Sequence, residues 1–258
     1  MADFDRNAAA RWGTGVDARA GVIDQGLRSY MLSVYNYMAI GLAITGLFAL
    51  GAFMMSVTST PTDVPIRGGM YLTSLGYALF VSPLKWVLML APLGMVFLLS
   101  ARISSMSVSG AQLAFWAFAA LMGISLSTIF LVYTQASIAR VFFITAAAFG
   151  ALSLYGYTTK RDLSGMGTFL FMGLIGVVIA SLVNLFLQSS MMQFVVSCVG
   201  VLVFAGLTAY DTQRIKEMYY FGDDGTVAGR KAIMGALSLY LNFINMFTML
   251  LSLFGNRE

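Results

Sequence analysis

Residues 168–187 read TFLFMGLIGVVIASLVNLFL, twenty positions without one charged side chain. A helix of that length rises about 30 Å, the thickness of a bilayer's hydrocarbon core. Six further runs of the same character lie at Ser33–Val57, Trp86–Ala101, Ala111–Tyr133, Ile138–Tyr157, Phe194–Asp211 and Ile233–Phe254. The run at Trp86 is short unless it begins near Leu75, because Pro83 and Pro92 obscure its ends. Only a tight turn around Thr134–Ser137 parts the third run from the fourth. The pattern predicts an all-α integral membrane bundle of seven transmembrane helices. A six-span count with one re-entrant segment is the alternative.

Composition supports this reading from another side. The chain is 59% apolar and 10% charged, with a mean hydropathy of +0.83. Soluble proteins are about 45–50% apolar and about 25% charged, and no soluble fold hides this much apolar surface. The net charge of +4 does not point to nucleic acid, since the basic residues are scattered in short loops rather than gathered in a stripe. Their distribution sets topology instead. With the N-terminus in the cytoplasm, eleven of the fifteen Lys and Arg fall inside: Arg6, Arg11, Arg19, Arg28, Arg102, Lys160, Arg161, Arg214, Lys216, Arg230 and Lys231.

The first thirty residues hold four Arg and four Asp and lack the apolar core of a secretory signal. They read as a polar cytoplasmic N-terminal tail (1–30) ahead of the seven-helix transmembrane domain (31–258). Small residues recur at helix-packing spacing: Ala119, Gly123 and Ser127 in the third span, Gly176 and Ala180 in the fifth, Ala205 and Ala209 in the sixth.

Function in a membrane protein shows as polar groups inside the spans. Ten of the eleven acidic residues lie in tails, loops or their edges, and Asp211, in GLTAYDTQRIKEMY, is the exception. In the last span Ser238, Asn242 and Asn245 fall at i, i+4 and i+7, on one helix face. They form a polar seam that wants protein or water beside it, and Asn184 in the fifth span adds another amide. A hydrogen-bonded structural seam accounts for these residues as well as an ion pathway does.

Several chemistries are excluded. The chain has no histidine, which removes rhomboid-type serine and HExxH zinc chemistry. Tyr210–Asp211 supplies half of an intramembrane aspartyl protease pattern, but no second span holds an acid. Lys231 precedes the last span rather than lying in it, which excludes a retinal Schiff base. The lone Cys198 makes no intramolecular disulfide. The expectation is a protein that is not an enzyme and carries no cofactor, with Asp211 as its one candidate cation ligand. FGDDGT (221–226) reads as a turn between helices, since a calcium loop places acids at alternating positions.

LSARISSMS (99–107), YGYTTKRDLS (155–164), AYDTQ (209–213) and LYLNFINMF (239–247), in this order, resemble the transmembrane Bax inhibitor motif (Bax inhibitor-1) family, and in particular its bacterial branch. The resemblance runs from about Ser33 to Arg257. It implies a seven-helix bundle of the bacterial inner membrane, and a calcium or cation leak under pH control. It also implies two facing aspartates that share a proton, with an arginine latch at the inner end of the second span. Carried over by motif, the first aspartate is Asp211 and the arginine is Arg102. At the second aspartate position this chain has Asn242.

That departure changes the chemistry. Two close carboxylates cannot both ionise cheaply, so protonation works as a switch. An amide instead donates its NH₂ to the ionised form, while burial opposes ionisation. Losing one charge also weakens a site for Ca²⁺, which prefers several hard, charged oxygens. The expectation is a leak pathway with blunted or shifted pH control. The alternative implied by the resemblance is a membrane-embedded stress regulator, acting on a membrane-anchored protease or another membrane protein through the polar tail.

Overall fold

The structure is a computed structural model; it describes residues 3–66 and 69–257, with side chains from residue 25 onward. Nine α-helices are present among them. Helix α1 (Asp3–Ser56) leads through a two-residue antiparallel pair, β1 (Val57–Thr58) and β2 (Tyr71–Leu72), to the short α2 (Ser74–Phe80). Then come α3 (Leu84–Arg102), α4 (Val108–Leu126), the single turn α5 (Ile129–Val132), α6 (Gln135–Thr158), α7 (Ser164–Leu187), α8 (Ser190–Glu217) and α9 (Gly225–Phe254).

Seven segments are long and apolar enough to cross a membrane: Gln25–Ser56, Leu84–Ser105, Val108–Val132, Gln135–Thr158, Ser164–Leu187, Ser190–Glu217 and Gly225–Phe254. Each contains or overlaps one of the seven runs expected from sequence. The helices are longer than the apolar runs because polar caps, not loss of hydropathy, set their ends. Ser107, Thr134, Ser189 and Asp224 each accept from the backbone N–H three residues on, starting α4, α6, α8 and α9. Pro83 stands just ahead of α3, where its missing N–H costs nothing, and the stretch near Leu75 forms the separate α2. The division expected at residue 30 falls within α1. The tail proposed as a partner-binding segment lies, for residues 1–24, outside the described side chains.

The bundle is built around α9. In its most apolar window 56% is buried, against 11% for α3 and for α7, so α9 is central and those two are peripheral. Helices α1, α4, α6 and α8 pack directly on α9; α3 backs onto α4, and α7 onto α8. Tyr240 of α9 is fully buried, edge-on to Phe115 and Phe118 of α4. Its hydroxyl meets Thr45 Oγ1 at 2.5 Å, and Thr45 donates in turn to the Ala119 carbonyl at 2.9 Å, tying α9, α1 and α4 together. Leu47, Phe97, Phe169, Phe186 and Leu202 are exposed on the outside, a surface suited only to lipid.

The small-residue expectation is half right. Ala119, Gly123 and Ser127 are buried, and Gly123 abuts the α1 backbone at Thr45 and Ala49. Ala209 presses its backbone against Gly156 of α6. Gly176, however, is exposed with open space around it; α7 meets α8 instead through Gly167, under the Tyr210 ring, and Gly173, against Val203. The spacing was legible, but not which face turns inward.

A candidate ion site on the inner face of α8

Helix α8 continues six residues past Asp211 to Glu217, which sets the carboxylate about 9 Å inside the helix end. Asp211 is 8% exposed and Asn242 5%, so both have left solvent. Ser238 and Asn242, four residues apart on α9, both reach it. Ser238 Oγ donates to Asp211 Oδ2 at 2.9 Å, and Asn242 Nδ2 donates to the same oxygen at 2.7 Å. Among the described residues Oδ1 receives no side-chain hydrogen bond. A buried carboxylate is stable only with such donors around it.

A cavity of about 470 Å³ lies against this group, between α7, α8 and α9. Asp211, Arg214, Ser238, Asn242 and Asn245 form its polar wall, and Phe171, Leu174, Phe204 and Leu241 are among the residues of its apolar one. Asn245 lines the cavity but donates back to the Leu241 carbonyl of its own helix at 2.8 Å. Arg214 shares the cavity without forming an ion pair to Asp211; among the described residues the one salt bridge joins Lys231 to Asp223 at 2.5 Å. Asp211 gives the cavity one negative charge and Arg214 one positive charge, so a hard cation would be held on the carboxylate and neighbouring oxygens only weakly. No group of three or more His, Cys, Asp or Glu that could hold a metal occurs among the described residues.

Two expected members stand elsewhere. Arg102 is exposed at the end of α3, which packs on α4, and it does not line the Asp211 cavity. Asn184 closes the turn between α7 and α8: its Oδ1 accepts from the Ser189 N–H at 3.0 Å, beside Gln188 in left-handed backbone at φ 51°. It belongs to a second cavity, about 600 Å³, at the far end of the same α7–α8–α9 seam.

One functional contact escaped the sequence. Gln213, buried two residues past Asp211, accepts from the Leu163 N–H at 2.8 Å and donates to the Arg161 carbonyl at 2.8 Å. Lys216 donates to the Tyr157 carbonyl at 2.8 Å. The helix carrying AYDTQ therefore grips the YGYTTKRDLS loop by its backbone. In that loop the Ser164 hydroxyl and N–H hold the Asp162 carboxyl below the usual carboxylate range. The signal available was the pairing of the two motifs themselves.

The family model described as inhibitor of apoptosis-promoting Bax1 matches residues 27–258. The chain belongs to the Bax inhibitor-1 family. Among its relatives is the inner membrane protein YbhL of Escherichia coli, 45% identical over 90% of this chain and 94% of that one. A protein of Rickettsia prowazekii is 47% identical over 91% of this chain and 92% of its own length. One of Caulobacter vibrioides is 42% identical over the full length of both. With seven apolar spans and this kinship, the Bax inhibitor-1 family member described here is an integral protein of a bacterial inner membrane.

Proposed function

We propose that this protein is a cation leak pathway, calcium among the ions it passes, in which Asp211 is the ion-facing group and Asn242 replaces a proton-sharing partner. The observation that carries the reading is the buried Asp211 carboxylate, held on one oxygen by Ser238 and Asn242 at the wall of a 470 Å³ cavity. A purely structural seam has no need of a cavity beside the one buried acid among the described residues.

The second polar cavity supports it. Asn184, Gln193, Ser197, Thr248 and Ser252 line that space on the same three helices, with Arg257 just past α9. Asn245 in one cavity and Thr248 in the other stand one turn apart, joined by a 2.9 Å bond from Thr248 Oγ1 to the Asn245 carbonyl. Between the cavities Val177 is buried, and the side chain of Met249, which lines the second cavity, packs onto Gly200. The arrangement corresponds to two vestibules with an apolar septum, a closed pathway. By the positive-inside rule this reading puts the Asp211 end and the N-terminus on the cytoplasmic side. We class the protein as non-enzymatic, since Asp211 faces an amide rather than the second acid that aspartyl chemistry needs.

The test is calcium flux into dye-loaded liposomes containing the purified protein. The proposal predicts flux above protein-free liposomes, lost in Asp211→Asn. Flux equal to that of empty liposomes from roughly pH 5 to 8, the span over which carboxylate and imidazole switches work, sinks it.

A further inference from the structure

A third space, about 460 Å³, opens between α1 and α6, on the side of the bundle away from α7. Its walls are apolar, with Met31 and Leu32 on α1 and Phe149 and Leu154 on α6. The floor is closed by a 2.5 Å hydrogen bond between the Tyr35 hydroxyl and Ser153 Oγ. Arg28 and Tyr157 stand at the mouth. The Lys216 ammonium sits 5.4 Å from the Tyr157 ring centroid and uses one donor on the Tyr157 carbonyl. Lys216 is not part of the lining, but it adds positive charge next to Tyr157.

From Tyr157 to Phe149 the groove runs eight residues along α6, about 12 Å. A packed helix 10–12 Å across needs roughly 1,000 Å³ over that length, twice what is present. A single hydrocarbon chain fits. The mouth carries one cation, Arg28, and among the described residues no carboxylate lines it; it lies where α1 enters the membrane and α6 leaves it. Basic pockets at such a level bind anionic lipid headgroups.

We propose that the α1–α6 groove is a binding site for an anionic phospholipid, one acyl chain lying along Leu32 and Leu154 and the phosphate held by Arg28, with the Lys216 charge adjoining Tyr157. Gly150 makes the room. A Cβ built there meets nothing within 4 Å, so a larger side chain at this position projects into the groove rather than into a neighbour. The inference is independent of ion conduction and needs only the membrane location.

The experiment is native mass spectrometry of the delipidated full-length protein with phosphatidylglycerol and phosphatidylcholine of identical chains. Wild type retains one phosphatidylglycerol in preference to phosphatidylcholine. Arg28→Gln lowers that preference about fivefold, the weight of one basic residue near an anionic surface. Gly150→Phe removes the first bound lipid of either kind while a thermal melt in detergent shows the protein folded; Gly150→Leu replaces it if the larger ring unfolds the bundle. Equal retention of both lipids by wild type, or an unchanged first phosphatidylglycerol on a folded Gly150→Phe or Gly150→Leu protein, overturns the site.

Discussion

Asp211 of α8 and Asn242 of α9 meet at 2.7 Å, the amide donating to a carboxylate oxygen that also accepts from Ser238. At this distance the identity of residue 242 decides how the pair responds to protons. An amide has no proton to share in this range, whereas a second carboxylate does.

Asn242→Asp therefore installs a switch. At low pH the two carboxyls share a proton and stay together; as pH rises both tend to ionise and repel, loosening the α8–α9 contact. The variant is expected to leak weakly near pH 5 and several-fold more near pH 8, with wild type flatter across the range. Calcium flux in paired liposome preparations measures this. Superimposable pH profiles for the two proteins mean that residue 242 does not govern the pathway.

Met249 gives a separate test of the route. Its side chain lines the second cavity and packs onto Gly200, on the side toward the Asp211 cavity. Met249→Ala removes about three heavy atoms from that septum and joins the spaces, so flux is expected to rise several-fold at every pH, at a cost in stability of about 2–4 kcal/mol. Unchanged flux in a protein that still melts cooperatively places the route elsewhere.

What the sequence could reveal follows from these particulars. Apolar length made all seven spans legible, because the bilayer imposes it. The i, i+4 spacing of Ser238 and Asn242 put both on Asp211, since residues four apart share a helix face. Asn245, one turn on, lines the same cavity, but its amide donates to a carbonyl on its own helix rather than to Asp211. Asn184 stands at the far end of the seam, closing the turn after α7; a span's hydropathy does not show where its last turn ends. Gln213 lay just past the expected sixth run, Phe194–Asp211; two residues from Asp211 is about 200° around the helix, which aims it at the 161–163 backbone instead of the cavity.

Gln213→Ala is expected to leave the Leu163 N–H, in a buried residue, without its acceptor and the Arg161 carbonyl without its donor. The cost is about 1–3 kcal/mol. Amide hydrogen exchange over residues 160–164 reads it locally, as faster exchange at Leu163. Gln193→Ala, which loses only a 3.3 Å contact to Ser252 at an exposed site, serves as the control and is expected to change little.

Gly156 tests how closely α6 and α8 must approach. A Cβ built there lands 2.9 Å from Ala209 Cα and nearer still to the Ala209 carbonyl oxygen. Those atoms are helix backbone and cannot turn aside as a side chain would, so Gly156→Ala must push α8 away from α6. The displacement also strains the Ser153–Thr212 bond of 3.0 Å one turn away and the Lys216 grip on the Tyr157 carbonyl. A loss of about 1–3 kcal/mol is expected, read as a lower Tm in detergent. Gly150→Ala lies on the same helix in open space and is expected to be neutral or slightly stabilising, since alanine favours helix over glycine. If the two substitutions lower Tm equally, the close α6–α8 approach is not what holds Asp211's helix in place, and the grip must come from α9.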